Sequence, residues 1–443
     1  MSCPLTLLKS PVSVAAKTIA NRGLSVAAKM GLPASLSEST INTIKATAPV
    51  VAPLALNITQ TFYKDLFKQH PELFSIFNKQ NQVNDTQPKA LAASVVAYAS
   101  NIDQLQNLVG FPGSPVETIA AKHCGLNVMP EHYPIVHEHL MSAIGKVLGE
   151  AVTPEIGAAW SEAVLFLAGV LIDAEEKMYT DAEKRQNGWR GFEPFKVISI
   201  EQVTKDVKAF RFVSAKSTMS VESTKDDDND TDNGSGFEFA AGQFVTLQVD
   251  PNEDGLTAPR HYTLSSLPGE STLECTIKKV DQGNGVSKFL HENITVGSIV
   301  NISPPFGGFT ANVISLNNAI LISAGIGLTP MISIGKKLGD KVALVVHVDS
   351  SPESHPHAHR IDDLGVPTLY KYSSEGPRVS SEQLVSEIFA TVGSDVAASS
   401  DFYVCGSPGF ESDITEALRN LGITLVYSEA FKGHTDGDSD AEK

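Results

Sequence analysis

Cysteine is scarce in this chain. Only Cys3, Cys124, Cys275 and Cys405 occur, with no Cys-x-x-Cys pair, which excludes a disulfide framework and a zinc knuckle and points to a reducing compartment. Positive charge is short as well: 34 Lys and Arg stand against 51 Asp and Glu, a formal net charge of −17, so neither nucleic acid nor an anionic membrane is expected as the main partner. No uninterrupted apolar run reaches the roughly 18 residues that a bilayer crossing needs, so no membrane span is expected. What the chain has is length. Its 443 residues are too many for one core and suit roughly three domains.

Residues 1–37 carry Lys9, Lys17, Arg22 and Lys29 with no Asp or Glu before Glu38, among many Ala, Ser and Leu. Mitochondrial transit peptides and disordered extensions share that composition, so a cytoplasmic and a mitochondrial-matrix location both stay open. Neither reading places the segment in the folded core.

Residues 38–180 read as all-α. Ile156, Trp160, Val164, Leu167 and Leu171 step by three and four as one buried helix face should, and four further on the stripe lands on Glu175. A carboxylate there either has a buried partner or lies near enough to the helix end to reach water. The polar stretch Asp181–Gly191 reads as a linker. Residues 190–312 follow as short β-rich runs (Phe195–Ile200, Val207–Val213, Gln243–Val249, Leu273–Lys278, Ile299–Ile302), which predict a small antiparallel barrel. Within it, the acidic run 217–236 lacks the glycine and the glutamate of a calcium loop and reads as a solvated insertion. Residues 316–432 alternate strands with helices, as a parallel α/β sheet does.

In Ser114–Gly125, Ser114 with Glu117 makes a capping box and Pro115 takes the first helical position. Val116, Ile119, Ala120 and His123 then share one face. A histidine so placed is either a satisfied core residue or a metal ligand. A haem iron would need that imidazole, an apolar wall, for which Phe77 and Leu91 are candidates, and polar groups toward a bound gas, for which Tyr63 and Gln87 are candidates. A ligating imidazole also wants an acceptor on its second nitrogen, and Glu175 is the available carboxylate. Pro88 is compatible with a helix that starts at Asp85 or Thr86.

Phe62-Tyr63, His70-Pro71-Glu72-Leu73, Phe77-Asn78, Asn81-Gln82, Lys122-His123, Pro130-Glu131-x-Tyr133-x-Ile135-Val136 and His139-Leu140 make this half similar to the globin domain of the flavohaemoglobins. The resemblance implies that His123 ligates haem iron, that Tyr63 and Gln87 line the oxygen side, and that Tyr133 and Glu175 brace the histidine.

Arg260-x-Tyr262-Thr263-Leu264-Ser265 resembles the flavin signature of ferredoxin-reductase-like enzymes, although Arg-x-Tyr on a strand is ordinarily cross-strand packing. The arginine suits a diphosphate, the aromatic a flavin ring and the hydroxyls its polar edge. Gly285-Val286-Ser287 opens a helical stretch whose amides can hold a phosphate. Gly242-Gln243-Phe244 and Pro305-x-Gly307 match the same family, which sets Phe244 against the flavin nucleotide. Gly325-x-Gly327-x-Thr329-Pro330 links strand to helix, the context of a dinucleotide loop, but it is Gly-x-Gly-x-x-Pro and not the Rossmann pattern. Similar enzymes place Cys405, Gly406 and Pro408 near the nicotinamide, and the aromatic of Glu429-x-Phe431 over the flavin. Two features depart or distract. Val346-His347-Val348-Asp349-Ser350 replaces the family's Val-His-Gly-Ala-Arg, and without that arginine a 2′-phosphate loses one obvious partner, which favours NADH only weakly. His355, His357 and His359 alternate like metal ligands, but in a Pro-containing loop they are expected to be solvated.

The resemblance spans about residues 39–431. It implies haem b, FAD and NAD(P)H as cofactors, oxygen and nitric oxide as small-molecule substrates, and a monomeric oxidoreductase, a nitric oxide dioxygenase passing electrons from NAD(P)H through FAD to haem. The alternatives are an oxygen-binding or sensing globin with its own reductase, and a haem-linked diaphorase.

Overall fold

Side-chain caps start the helices of the N-terminal half. Ser37, Ser114 and Thr153 each accept a hydrogen bond from a backbone N–H three residues on, and Pro115 and Pro154 sit in the first turns where their missing N–H costs nothing. The computed structural model describes residues 25–77, 85–104, 114–216, 236–251, 255–280, 285–315 and 317–431. Residues 1–24, the acidic insertion up to residue 235, Asn78, Asn81, Gln82, Gly283 and Asn284 lie outside them.

The first unit is built from helices Glu38–Val51, Ala55–Gln69, Thr86–Ser100, Pro115–Gly125, His132–Leu148 and Pro154–Lys184. Ile44, Ile58, Phe62, Leu66, Ile102, Leu140 and Trp160 form its core, with Ile156, Val164 and Leu167 packed against it as the stripe predicts. Two expectations change. Residues 25–37 do not all stand apart from the fold: the turn Val26–Lys29 lies on the long helix, where Ala27 N–H donates to Asp173 at 3.0 Å and a Cβ at Gly169 would meet Ala27 at 3.4 Å. The small residues at this crossing explain the close fit. The long helix also runs on through Asp181 to Lys184, so the connection is shorter than the polar composition suggested. Pro154–Lys184 is, among the described residues, the one helix long and apolar enough to cross a membrane; it buries Trp160, Ala163, Ile172 and Tyr179 inside the protein.

The second unit holds β1 (Glu193–Thr204), β2 (Val207–Ser214), β3 (Phe244–Val249), β4 (Ala258–Thr263), β5 (Leu273–Lys278) and β6 (Ile299–Ile302), all antiparallel in the order β4-β3-β6-β1-β2-β5. An isolated bridge between Leu264 and Cys275 brings the end of β4 onto β5 and closes the barrel. Trp189, from the connection, fills its core and donates Nε1–H to the Ile302 carbonyl at 3.1 Å.

The third unit is a parallel sheet of β7 (Ala319–Ala324), β8 (Val342–Asp349), β9 (Thr368–Tyr372), β10 (Asp401–Gly406) and β11 (Val426–Ala430), ordered β11-β10-β7-β8-β9. The chain moves outward from β7 in one direction to β8 and in the other to β10. The strand order therefore reverses at β7 and β10, and a crevice outside their carboxyl ends is where such sheets take ligands.

Candidate functional site

Helix Pro115–Gly125 presents His123 with its neighbours Val116 and Ala120 buried beneath it. The imidazole is 34% exposed, whereas the Glu175 carboxyl facing it is 3% exposed. His123 Nδ1 lies 2.7 Å from Glu175 Oε1, and the Tyr133 hydroxyl donates to the same oxygen at 2.5 Å. A carboxylate only accepts, so Nδ1 carries the proton and Nε2 keeps the lone pair. Nε2 makes no hydrogen bond among the described residues. Glu175 thus has its buried partner and does not reach water. Burial and the adjacent Glu175 push the Tyr133 hydroxyl well above the usual phenol range, so it stays a donor. An oriented imidazole with one nitrogen braced and the other offered is the donor set a haem iron requires.

Tyr63 and Phe62 come from helix Ala55–Gln69, and Phe77 meets the Tyr63 ring edge-on at 5.7 Å between centroids. Leu91 packs in the same cluster. Asp85 takes a left-handed conformation and starts the helix that carries half-buried Gln87, leaving Pro88 in the first turn. An open cavity of about 420 Å³ is lined by Gln60, Tyr63, Lys64, Phe67, Phe74, Asp85 and Pro88. Burial raises the Tyr63 pKa, so its hydroxyl is a neutral donor.

In the barrel, β3 and β4 pair so that Phe244 stands opposite Thr263, Val245 opposite Tyr262 and Leu247 opposite Arg260. Tyr262 packs on the barrel core; Arg260 is partly buried, which lowers its pKa to about 10 and leaves it charged at neutral pH. Ser265 is fully buried and bonds Glu274 at 2.8 Å and Thr276 at 2.9 Å, so its hydroxyl is held inside the barrel wall. Gly285 is left-handed ahead of helix Val286–Asn293, and Ser287 Oγ accepts from Val280 N–H at 3.0 Å.

At the parallel sheet the glycines have steric reasons. A Cβ on Gly327 would lie 2.5 Å from the Cys405 carbonyl, and one on Gly406 would lie 2.6 Å from the Phe410 ring. The turns after β7 and β10 therefore touch. Gly325 has φ of 51°, and helix Thr329–Leu338 begins with Thr329 and Pro330, the Thr329 hydroxyl donating to the Ile326 carbonyl at 3.0 Å. Phe431 N–H donates to the Gly406 carbonyl at 2.8 Å, which sets its half-buried side chain beside this junction. Burial, reinforced by Glu429, pushes the Cys405 thiol well above its usual range, so it is no nucleophile.

Four features escaped the sequence reading. The end of the His123 helix is seated on the barrel: a Cβ on Gly125 would meet Thr246 Oγ1 at 2.9 Å, Phe244 Cε2 at 3.0 Å and His261 Cε1 at 3.1 Å. His261, the unnamed position of the Arg-x-Tyr motif, bonds Thr246 at 2.8 Å and lies 4.5 Å from the Phe244 ring; burial, with Lys122 and Arg260 nearby, lowers its pKa to about 3. Lys122 also reaches Glu429 of β11 at 3.9 Å. Glu274 of β5 is bound by Arg211 at 2.8 Å and by Arg360 from the parallel-sheet unit at 2.6 Å. A carboxylate between Leu273 and Cys275 in an apolar run was a legible signal for the last of these. One expectation fails: His355 and His357 are 5% and 4% exposed rather than solvated, because the loop folds against β5 and β9. Among the described residues no cluster of metal-ligating side chains occurs.

Residues 60–171 match the globin family, and residues 230–310 match the oxidoreductase FAD-binding domain. A flavohemoprotein of Bacillus subtilis (strain 168) is 34% identical, with 89% of this chain and 97% of that protein covered. Flavohemoprotein A of Dictyostelium discoideum is 33% identical, covering 88% and 96%. Among solved structures, a flavohemoglobin from Malassezia yamatoensis with bound FAD and heme matches with a TM-score of 0.75 and 29% identity, over 90% of this chain and 100% of that one.

Proposed function

The chain belongs to the flavohaemoproteins, oxidoreductases that join a globin to a flavin reductase, and on that premise we propose that it is an NAD(P)H-dependent nitric oxide dioxygenase. The observation that carries the reading is the brace on His123, a proximal imidazole with Nδ1 tied to Glu175 and Nε2 offered. When bound, the nicotinamide supplies an electron pair, the flavin divides it into single electrons, and the haem iron provides the gas-binding centre.

The chain's own residues do the rest. His123 would hold the iron, and the Glu175 contact makes its imidazole a stronger electron donor. Phe77 and Leu91 would wall the porphyrin, and the neutral Tyr63 hydroxyl, with Gln87, would donate hydrogen bonds toward a bound gas. Arg260 would neutralise the flavin diphosphate together with the amides opened by Gly285, Val286 and Ser287, while Phe244, Tyr262 and Thr263 would contact the nucleotide and ring. Ser265 positions this strand through Glu274. Gly325, Gly327, Thr329 and Pro330 would carry the coenzyme diphosphate, Cys405 and Gly406 would border its ring, and Phe431 would cover the flavin until coenzyme arrives.

The test is stoichiometry. Protein replete in haem and flavin, supplied with oxygen, nitric oxide and NAD(P)H, should form one nitrate for each nitric oxide removed while oxidising coenzyme. Coenzyme oxidation without nitrate would instead support an oxygen-binding globin or a diaphorase.

A further inference from the structure

Strand β8 ends at Asp349, beside the end of β7, with Ala324 in register with Val348 and the Gly325-x-Gly327 turn immediately beyond. This is the position, about twenty residues past the glycine turn and at the tip of the second parallel strand, where an acidic side chain in a dinucleotide fold meets the adenosine ribose. The structure shows how the carboxylate is aimed. Oδ1 accepts from Ser350 N–H at 2.6 Å, Ser350 Oγ at 3.2 Å and Ser354 Oγ at 2.7 Å, whereas Oδ2 has only His347 Nε2 at 3.4 Å. One oxygen is saturated and the other keeps accepting capacity.

The surroundings are polar. His347 is fully buried, bonded to Ser323 at 2.9 Å, and stacks on His355 with centroids 4.0 Å apart. His355 bonds the Tyr372 hydroxyl at 2.8 Å through Nδ1, and its buried Nε2 has no partner among the described residues. Burial opposes ionisation of Asp349, but the bonds from His347, Ser354 and Ser350 hold its pKa down to about 2; burial, with His347 adjacent, lowers that of His355 to about 4. At neutral pH the cluster therefore presents a fixed negative charge and a neutral ring. Two cations on adjoining elements are engaged, Lys371 of β9 with Glu387 and Arg360 with Glu274.

We infer that Asp349 reads the adenosine ribose of the coenzyme, accepting from its 2′-hydroxyl through Oδ2 and repelling a 2′-phosphate, so that the chain takes NADH in preference to NADPH. This rests on the nicotinamide reading above. It assigns to a single side chain the selectivity left open by the missing arginine.

The test measures ferricyanide reduction by the full-length, haem- and flavin-loaded protein with each coenzyme. The unsubstituted chain should favour NADH in kcat/KM at least about tenfold, and ADP should compete with NADH more strongly than adenosine 2′,5′-bisphosphate by a similar factor. Asp349→Asn, which keeps the shape and removes the charge, should raise KM for NADH and shrink the preference about tenfold or more. Equal use of both coenzymes, or a preference that Asp349→Asn leaves in place, would overturn the assignment while leaving the nicotinamide reading intact. Failure of both coenzymes to reduce the bound flavin would overturn both.

Discussion

Removing the charge from Glu175 isolates its effect on His123, because glutamine keeps the shape and loses the strong acceptor that Nδ1–H and the Tyr133 hydroxyl share. Glu175→Gln should weaken haem retention by about 10- to 100-fold, read as haem loss to excess apomyoglobin; an unchanged rate would remove the carboxylate from the account. A second residue-scale effect concerns His355 and His357, whose pKa values burial lowers from the ordinary 6.5 to about 4. The folded protein holds both rings neutral while the unfolded chain takes up protons below about pH 6.5. Their contribution is present above that pH and is lost as pH falls toward 4. Thermal release of flavin fluorescence should accordingly occur at a lower temperature at pH 5 than at pH 7, and a transition indifferent to pH in this window would contradict the burial. Single residues differed in how far sequence exposed them. Glu175 was legible because an acid interrupts an apolar stripe. The burial of His355 and His357 was not, since it arises from where a loop lands and no local pattern encodes that.

Elements with strong periodicity were readable, and those defined by their neighbours were not. Strands β5 and β6 have the ends that pattern alone predicts, because each is apolar and sharply bounded. β9 and β11 went unseen: both are edge strands with half-exposed side chains, so neither alternation nor a buried run marks them. β4 was found only through its motif, since Pro259, Arg260 and His261 hide its strand character. At this scale Glu274 joins three elements, β5, β2 through Arg211, and the short helix Ala358–Asp362 through Arg360. Arg360→Met should destabilise the joined barrel and parallel sheet by about 1–3 kcal/mol in urea unfolding followed by flavin release, since a buried carboxylate loses a charged partner while Arg211 remains. A change below about 0.5 kcal/mol would mean that the pair does not hold the units together.

For the whole molecule, the order of the three units along the chain was legible, but the seam between them was not. Gly125, at the end of the helix that carries His123, touches Thr246, Phe244 and His261 on the barrel face, and Lys122 reaches across to Glu429. The Arg190 pair with Glu176 at 2.6 Å further ties the long helix to the connection. Sequence gives no sign that a helix-ending glycine also sets the distance between two units. Gly125→Val would force the surfaces apart, so flavin reduction by coenzyme should keep its rate while electron transfer onward to haem slows by about tenfold or more in stopped-flow absorbance, in line with the cost of displacing a well-packed contact. Equal slowing of both steps, or of neither, would place the electron path elsewhere.

The central claim is that electrons entering at the parallel sheet leave through the iron held by His123. Anaerobic addition of NADH to the protein loaded with haem and flavin tests it directly, with both absorbance bands followed in time. The account predicts that the flavin band bleaches first and that the Soret band then shifts to its ferrous position in the same molecules. A flavin that is reduced while the Soret band stays ferric would contradict it.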